Sequence, residues 1–186
     1  AMAIQLFVSS SPDLAAEREA LGQAVAELPI SVGFEIMHTR PGEGTDIEEA
    51  LDFIEQSDLY VIVLGADFAA PMGIEWQHAQ ETLKPTLAYV KRELHSPSAQ
   101  QILRDASIAR QADVAWESFE SPQALKAHAT QTLAQLLLDR GETLGLHVDD
   151  VDGLLAVLGK EDEKSYDEPD RREGAGRGGI ILGRGE

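Results

Sequence analysis

Apolar residues along this chain fall into short continuous runs and longer segments of helical period. Residues 59–64, Leu-Tyr-Val-Ile-Val-Leu, form one unbroken apolar run ahead of Gly65. A run that is apolar on both faces and bounded by turn signals predicts a central parallel strand. Further strands are predicted at 4–8, 32–37, 86–90 and 114–116, the second weaker than the first and the last very short. Between them apolar residues recur at helical spacing: Leu14, Leu21, Val25 and Leu28, then Ile47, Leu51 and Ile54, and later Leu125, Leu133, Leu136 and Leu137. One further helix is predicted to begin near Met72 and another to occupy 96–110. Ser11, Thr45 or Asp46, Ser96 and Ser121 stand where N-caps belong, three of them with Pro12, Pro97 or Pro122 at the next position. Gly141 marks the end of the long helix.

Strands alternating with helices of this length predict an α/β fold, a flavodoxin-like, doubly wound parallel sheet of about five strands in the order 2-1-3-4-5. Right-handed crossovers then place helices on both faces. Residues 4–140 are expected to form this domain, and 141–159 a C-terminal helical extension with a short amphipathic helix at 149–158. Residues 160–186 are charged and bear Gly and Pro, which predicts a flexible linker or tail. Ile180-Ile181-Leu182 is its one apolar island, a candidate edge strand, partner-binding element or start of a further module.

Charge narrows the function. The formal net charge is −18 over 186 residues. Binding a phosphate backbone needs a basic face, so direct nucleic-acid binding is not expected. Solubility and a basic partner surface remain as readings. The absence of cysteine excludes disulfides, cysteine-ligated zinc and a cysteine nucleophile, and fits a cytoplasmic protein. No stretch is long and apolar enough to cross a membrane.

In an open α/β sheet, ligands bind beyond the carboxyl ends of the strands. That rule makes the loop and helix after residues 59–64 the candidate rim, with Glu75 its leading acid and Trp76 beside it. A carboxylate there can stabilise positive charge on a ribosyl centre or attack an anomeric carbon. The competing reading is a first-turn acid favoured by the helix dipole, with Trp76 as packing. Ser9-Ser10-Ser11 can hold phosphate or ribose hydroxyls at a helix N-terminus, or can simply cap and turn. The run Gly174-Ala175-Gly176-Arg177-Gly178-Gly179 matches a dinucleotide fingerprint by letter but lacks the strand–turn–helix context. Asp150-Val151-Asp152-Gly153 lacks the terminal acid of a calcium loop. Glu75 and His78 form a single Glu-x-x-His pair, whereas a carboxylate di-metal site needs two, so no metal is expected. The other histidines, among them His38 and His95, are expected at the surface.

With these residues in place the chain resembles a known family. Its opening, LFVSSSPDLAAEREAL, is similar to the "FVSST-x-x-DL-x-x-ER" start of the TIR-like domains of unknown function that head bacterial and some animal multidomain STAND-type NTPases. SDLYVIVLGADF, GIEWQHAQETLKPTLAYVK and WESFESPQALKAHATQTLAQLL resemble the later blocks of the same family, so the likeness spans about 4–140. It implies a TIR-like, flavodoxin-like fold related to nucleoside deoxyribosyltransferases, in which a glutamate near the start of this helix acts on an N-glycosidic bond. By position that residue is Glu75. Ser9, Ser10, Ser11 and Asp13 would line the opposite rim, Arg40 would approach a phosphate, and Gly65, Asp67, Phe68 and Trp76 would complete the ligand surface. Two departures stand out: Gly73-Ile74 replace the usual Ser/Thr before the glutamate, and loop 66–72 is short and apolar.

The resemblance implies a signalling or antiviral-defence effector that cleaves the N-glycosidic bond of NAD or a related nucleotide, with NAD as substrate and no cofactor. It also implies self-association and a C-terminal sensor or NTPase module in a longer chain. Two alternatives stand beside it: a non-catalytic homotypic interaction module, and a nucleoside 2-deoxyribosyltransferase-like enzyme.

Overall fold

The computed structural model describes residues 3–39, 47–68, 70–108 and 114–165. Five strands, β1 (Ile4–Ser10), β2 (Phe34–His38), β3 (Leu59–Leu64), β4 (Thr86–Lys91) and β5 (Trp116–Phe119), form one parallel sheet in the order β2-β1-β3-β4-β5. The helices are α1 (Ala15–Ala26), α2 (Ile47–Gln56), α3 (Ala70–Glu81), α4 (Pro97–Ile108), α5 (Pro122–Asp139), the one-turn α6 (Gly141–Leu144) and α7 (Val148–Ser165). The doubly wound architecture and its strand order are those expected from the pattern.

The sheet is covered on both faces because β3 is apolar on both. Leu59, Val61 and Val63 enter the cluster built with α1 and α5, while Tyr60 and Ile62 enter the one built with α2 and α3. All six β3 residues are buried. Burying one such aliphatic side chain is worth roughly 1.5–3 kcal/mol, so this strand dominates the core. β2 is an edge strand and only half-buried, which explains its weaker pattern.

Several family-motif residues have structural roles. The Asp58 carboxylate accepts from the Gln5 N–H at 2.9 Å, and the Ser57 hydroxyl donates to the Ile54 carbonyl at 2.8 Å. Lys84 donates to the carbonyls of Glu55 and Ser57, closing the C-terminal end of α2.

Local starts differ from expectation at two helices. Ser11 does not cap α1: the cap position is Leu14, with no side-chain hydrogen bond. β1 continues through Ser10, which pairs with Val63, and Leu14 is drawn fully into the core before the helix begins. α3 starts at Ala70 rather than near Met72, with Pro71 in its first turn. Ser96 and Ser121 do cap α4 and α5, accepting from the N–H groups of Ala99 at 3.3 Å and Ala124 at 3.2 Å. β5 lies at Trp116–Phe119 rather than 114–116. The caps proposed at Thr45 and Asp46, the end of α4 near 110 and the Ile180–Leu182 island fall outside the described residues.

α7 runs to Ser165 rather than stopping at 158, and it docks at the amino edge of the sheet. Asp150 accepts from the Ser31 N–H at 2.6 Å, the Ser31 hydroxyl at 3.0 Å and the His147 N–H at 2.8 Å. A Cβ on Gly153 would lie 2.7 Å from the Pro29 carbonyl oxygen, so only glycine permits this approach. Among the described residues no helix is long and apolar enough to cross a membrane.

Candidate functional site

The parallel sheet brings the ends of β1, β2 and β3 together at its carboxyl edge. Ser9 and Ser10 close β1, Thr39 follows β2, and α3 returns over the sheet after β3. Glu75 lies on α3 and is 1% exposed. It is the sixth residue of that helix, past its first turn, so the dipole reading of a first-turn acid does not apply.

Ser9 Oγ donates to Glu75 Oε2 at 2.5 Å and Thr39 Oγ1 donates to the same oxygen at 2.6 Å. Hydroxyls that donate to a carboxyl oxygen favour its ionised form. Thr39 Oγ1 also accepts from the Ser10 N–H at 3.2 Å and lies 3.3 Å from Ser9 Oγ. Burial pushes the Glu75 carboxyl above its ordinary range, and the Ser9 and Thr39 hydrogen bonds offset part of that rise. Tyr60 is fully buried, its hydroxyl close enough to Ser9 to be lowered by it but making no hydrogen bond of good geometry. Burial, with the Glu75 charge adding to it, holds that phenol well above its ordinary range.

On the other side of the β1 terminus, Arg18 reaches back from α1. Its Nη1 donates to Ser10 Oγ at 3.2 Å and to the Ser11 carbonyl at 2.7 Å, and its Nη2 donates to the Pro12 carbonyl at 3.2 Å. His38 is half-buried beside it, held below the ordinary histidine range by burial and then by the Arg18 charge. His95 is also half-buried, its Nδ1 3.0 Å from the Gly65 carbonyl oxygen. Neither histidine is the surface residue expected.

The remaining candidates fall into three places. Gly65 is buried against α1: a Cβ there would lie 3.0 Å from Leu14 Cδ2 and 3.2 Å from Asp13 Oδ2. Asp67 is exposed and ties two loops, its Oδ1 accepting from Ser96 Oγ at 2.7 Å, Ser98 Oγ at 3.0 Å and the Phe68 N–H at 2.8 Å. Those bonds, the Ser96 contact first, hold its carboxyl below the ordinary range. Phe68 and Trp76 pack against the core, and Trp76 lies 6.4 Å from Tyr60 and 5.6 Å from Trp116 between ring centroids. Arg40 lies outside the described residues.

The sheet therefore gathers Ser9, Ser10 and Glu75, and adds Thr39, Tyr60, Arg18 and His38, which sequence reasoning passed over. The signal for Thr39 was present: it directly follows an outer strand, on the same rim as the residues after β1 and β3. Among the described residues no group of three or more His, Cys, Asp or Glu is placed to hold a metal ion.

The family described as "Domain of unknown function (DUF4062)" matches residues 5–134. No curated protein matches the chain. Among solved structures, the chain is similar to a CMP N-glycosidase from Clostridium botulinum at 13% identity and a TM-score of 0.47, over 67% of this chain and 96% of that one. It is also similar to the sugar isomerase domain of an RpiR transcription factor from Sphaerobacter thermophilus, at 21% identity and a TM-score of 0.49, over 87% of this chain and 79% of that one.

Proposed function

We propose, for a chain that belongs to the family described as domain of unknown function DUF4062, that its α/β domain cleaves the N-glycosidic bond of NAD or a related nucleotide through Glu75. The observation that carries this reading is the Glu75 carboxylate, buried at the carboxyl edge of the sheet and held by the hydroxyls of Ser9 and Thr39. An acid has no packing reason to be 1% exposed there, and burying one without a cationic partner is costly. Perturbed carboxyls of this kind concentrate at functional sites.

In this reading the bond between the anomeric carbon and the base nitrogen breaks, and its electron pair leaves with the base. The ionised Glu75 carboxylate stabilises the developing positive charge on the sugar, or bonds to the anomeric carbon. Water then supplies the hydroxyl at that carbon; its other proton is released to solvent when neutral nicotinamide leaves the cationic ring of NAD, and goes to the base when an uncharged base leaves a related nucleotide. The Ser9 and Thr39 hydroxyls hold the carboxylate in one orientation, the task that the missing Ser/Thr before Glu75 would otherwise share. The domain serves as the effector part of a longer TIR-like signalling protein and acts when self-associated.

The test is NAD consumption, with chromatography of the products, for wild type and Glu75→Gln side by side at high protein concentration and in a forced oligomer. Release of nicotinamide by wild type alone is the expected result. Equal turnover by both proteins, or none by either with NAD and with nucleoside monophosphates, overturns the reading.

A further inference from the structure

The chain is strongly acidic, yet one cation at the rim has no carboxylate partner among the described residues. Arg18 spends its hydrogen bonds on the Ser10 hydroxyl and the carbonyls of Ser11 and Pro12. Two acids close to it in sequence face another cation: Glu17 pairs with Lys91 at 2.9 Å, and the Lys91 ammonium also lies in the field of Asp13. Among the described residues the Arg18 charge thus has no ion-pair partner at the tip of β1.

Around it the polar groups are unsatisfied. The Ser11 residue is 1% exposed and its hydroxyl is buried without a hydrogen-bond partner. His38 Nδ1 beside Arg18 is likewise buried and unpartnered. α1, twelve residues long, begins at the same loop with no side-chain cap, so its first N–H groups are open to an anion. A buried hydroxyl left unpaired costs stability, and a ligand that supplies the partner recovers it.

This cluster stands close to Glu75. Arg18 bonds the Ser10 hydroxyl, the Ser10 N–H donates to Thr39, and Thr39 donates to Glu75. The cation and the acid are therefore both tied to the carboxyl end of β1, through the adjacent residues Ser10 and Ser9. We propose that Arg18, the Ser11 hydroxyl and the open first turn of α1 form a phosphate subsite, so that the site takes nucleosides bearing a 5′-phosphoryl group. This rests on the glycosidase reading for the sugar's orientation, with the anomeric carbon at Glu75 and the 5′-phosphoryl group at Arg18. The class covers nucleoside 5′-monophosphates and the phosphorylated ribose of a dinucleotide.

The test is calorimetric binding to the Glu75→Gln protein, which separates recognition from turnover. The probes are the four common ribonucleoside 5′-monophosphates, the matching nucleosides, NAD and inorganic phosphate. At least one phosphorylated probe should bind about tenfold tighter than its unphosphorylated nucleoside, as a charge-assisted contact requires. Arg18→Gln should erase that preference. Ser11→Ala, which leaves the Arg18 braces in place, should weaken the phosphorylated probe about threefold and leave the nucleoside unchanged. If Arg18→Gln fails to fold, Arg18→Lys replaces it: the cation alone should preserve part of the preference.

Equal binding of nucleotide and nucleoside overturns the proposal, as does a preference that survives Arg18→Gln. Inorganic phosphate binding as tightly as every nucleotide also overturns it. A phosphate preference without turnover by wild type would sink the glycosidase reading and keep the subsite. Turnover that ignores the phosphate would do the reverse.

Discussion

Two buried carboxylates sit at opposite edges of the same sheet and are held in different ways. Asp150, at the amino edge, receives two backbone N–H groups and one hydroxyl. Glu75, at the carboxyl edge, receives two hydroxyls on one oxygen. A backbone N–H can only donate, so Asp150 is locked as an acceptor and held below the ordinary aspartate range, first by the His147 N–H. A hydroxyl can turn and accept instead. The Glu75 pair therefore tolerates either protonation state, and burial pushes that carboxyl upward. Fixed donors make a joint. Rotatable donors make a group whose charge can change during a reaction.

The largest contrast should appear when each acid is removed. Glu75→Gln should lower turnover by about 10³-fold, within the range expected for a group acting in the transition state, with no loss of stability at neutral pH. Asp150→Ala should do the opposite. It leaves the Ser31 and His147 donors without their carboxylate and frees the start of α7, which lowers the midpoint of denaturant unfolding with turnover retained. Destabilisation by Glu75→Gln, or loss of turnover in a folded Asp150→Ala protein, would break the distinction.

The pH dependence of stability sharpens it further, because the two shifts have opposite signs. Asp150 is lowered, so its contribution is complete above the ordinary aspartate range and disappears as pH falls through its depressed value. Glu75 is raised, so its contribution is complete below the ordinary glutamate range and disappears as pH rises through its elevated value. Relative to wild type, Asp150→Asn should lose most at neutral pH and converge in acid. Glu75→Gln should gain relative to wild type as pH is raised from 4 to 7, a sign that follows from the upward shift. Urea unfolding of the three proteins at those two values reads both signs, and parallel curves would show that neither carboxyl is perturbed by folding.

What could be read from the chain, and what could not, follows the same division between near and far. The β3 run and the Ser96 and Ser121 caps are local patterns, and each forms as its own residues dictate. Ser11-Pro12 is an equally good cap by letter. It fails because Ser10 is still engaged with β3 and the buried Leu14 must reach the core before α1 can start. Pro71 marks the start of α3 more closely than Met72 does, since proline is at home in a first helical turn. Glu75 was visible because the strand before it is so distinct. Its partners Ser9 and Thr39 lie 66 and 36 positions away, and Ser31 lies 119 positions from Asp150. No local period encodes such pairs; they exist only once the sheet order brings the loops together.

The smallest and most discriminating comparison removes one hydroxyl donor from each acid. Ser31→Ala takes away the 3.0 Å hydroxyl contact and leaves both backbone N–H bonds to Asp150. The carboxylate stays paired, so the loss should be about 0.5–1.5 kcal/mol of stability with turnover unchanged. Thr39→Val removes the 2.6 Å donor to Glu75 and leaves Ser9 as the only hydrogen bond described on Oε2. That bond favours the ionised carboxylate, so its loss should raise the Glu75 pKa further and move the acid limb of the kcat/KM profile to higher pH. Turnover at neutral pH should fall about tenfold, and stability should fall modestly because the Ser10 N–H also loses its acceptor. A Thr39→Ser protein should restore the profile, since serine supplies the same donor. A shifted acid limb rescued by Thr39→Ser separates positioning of the carboxylate from packing of the rim. A uniform fall in rate with no shift would place Thr39 among the packing residues and leave Ser9 alone to orient Glu75.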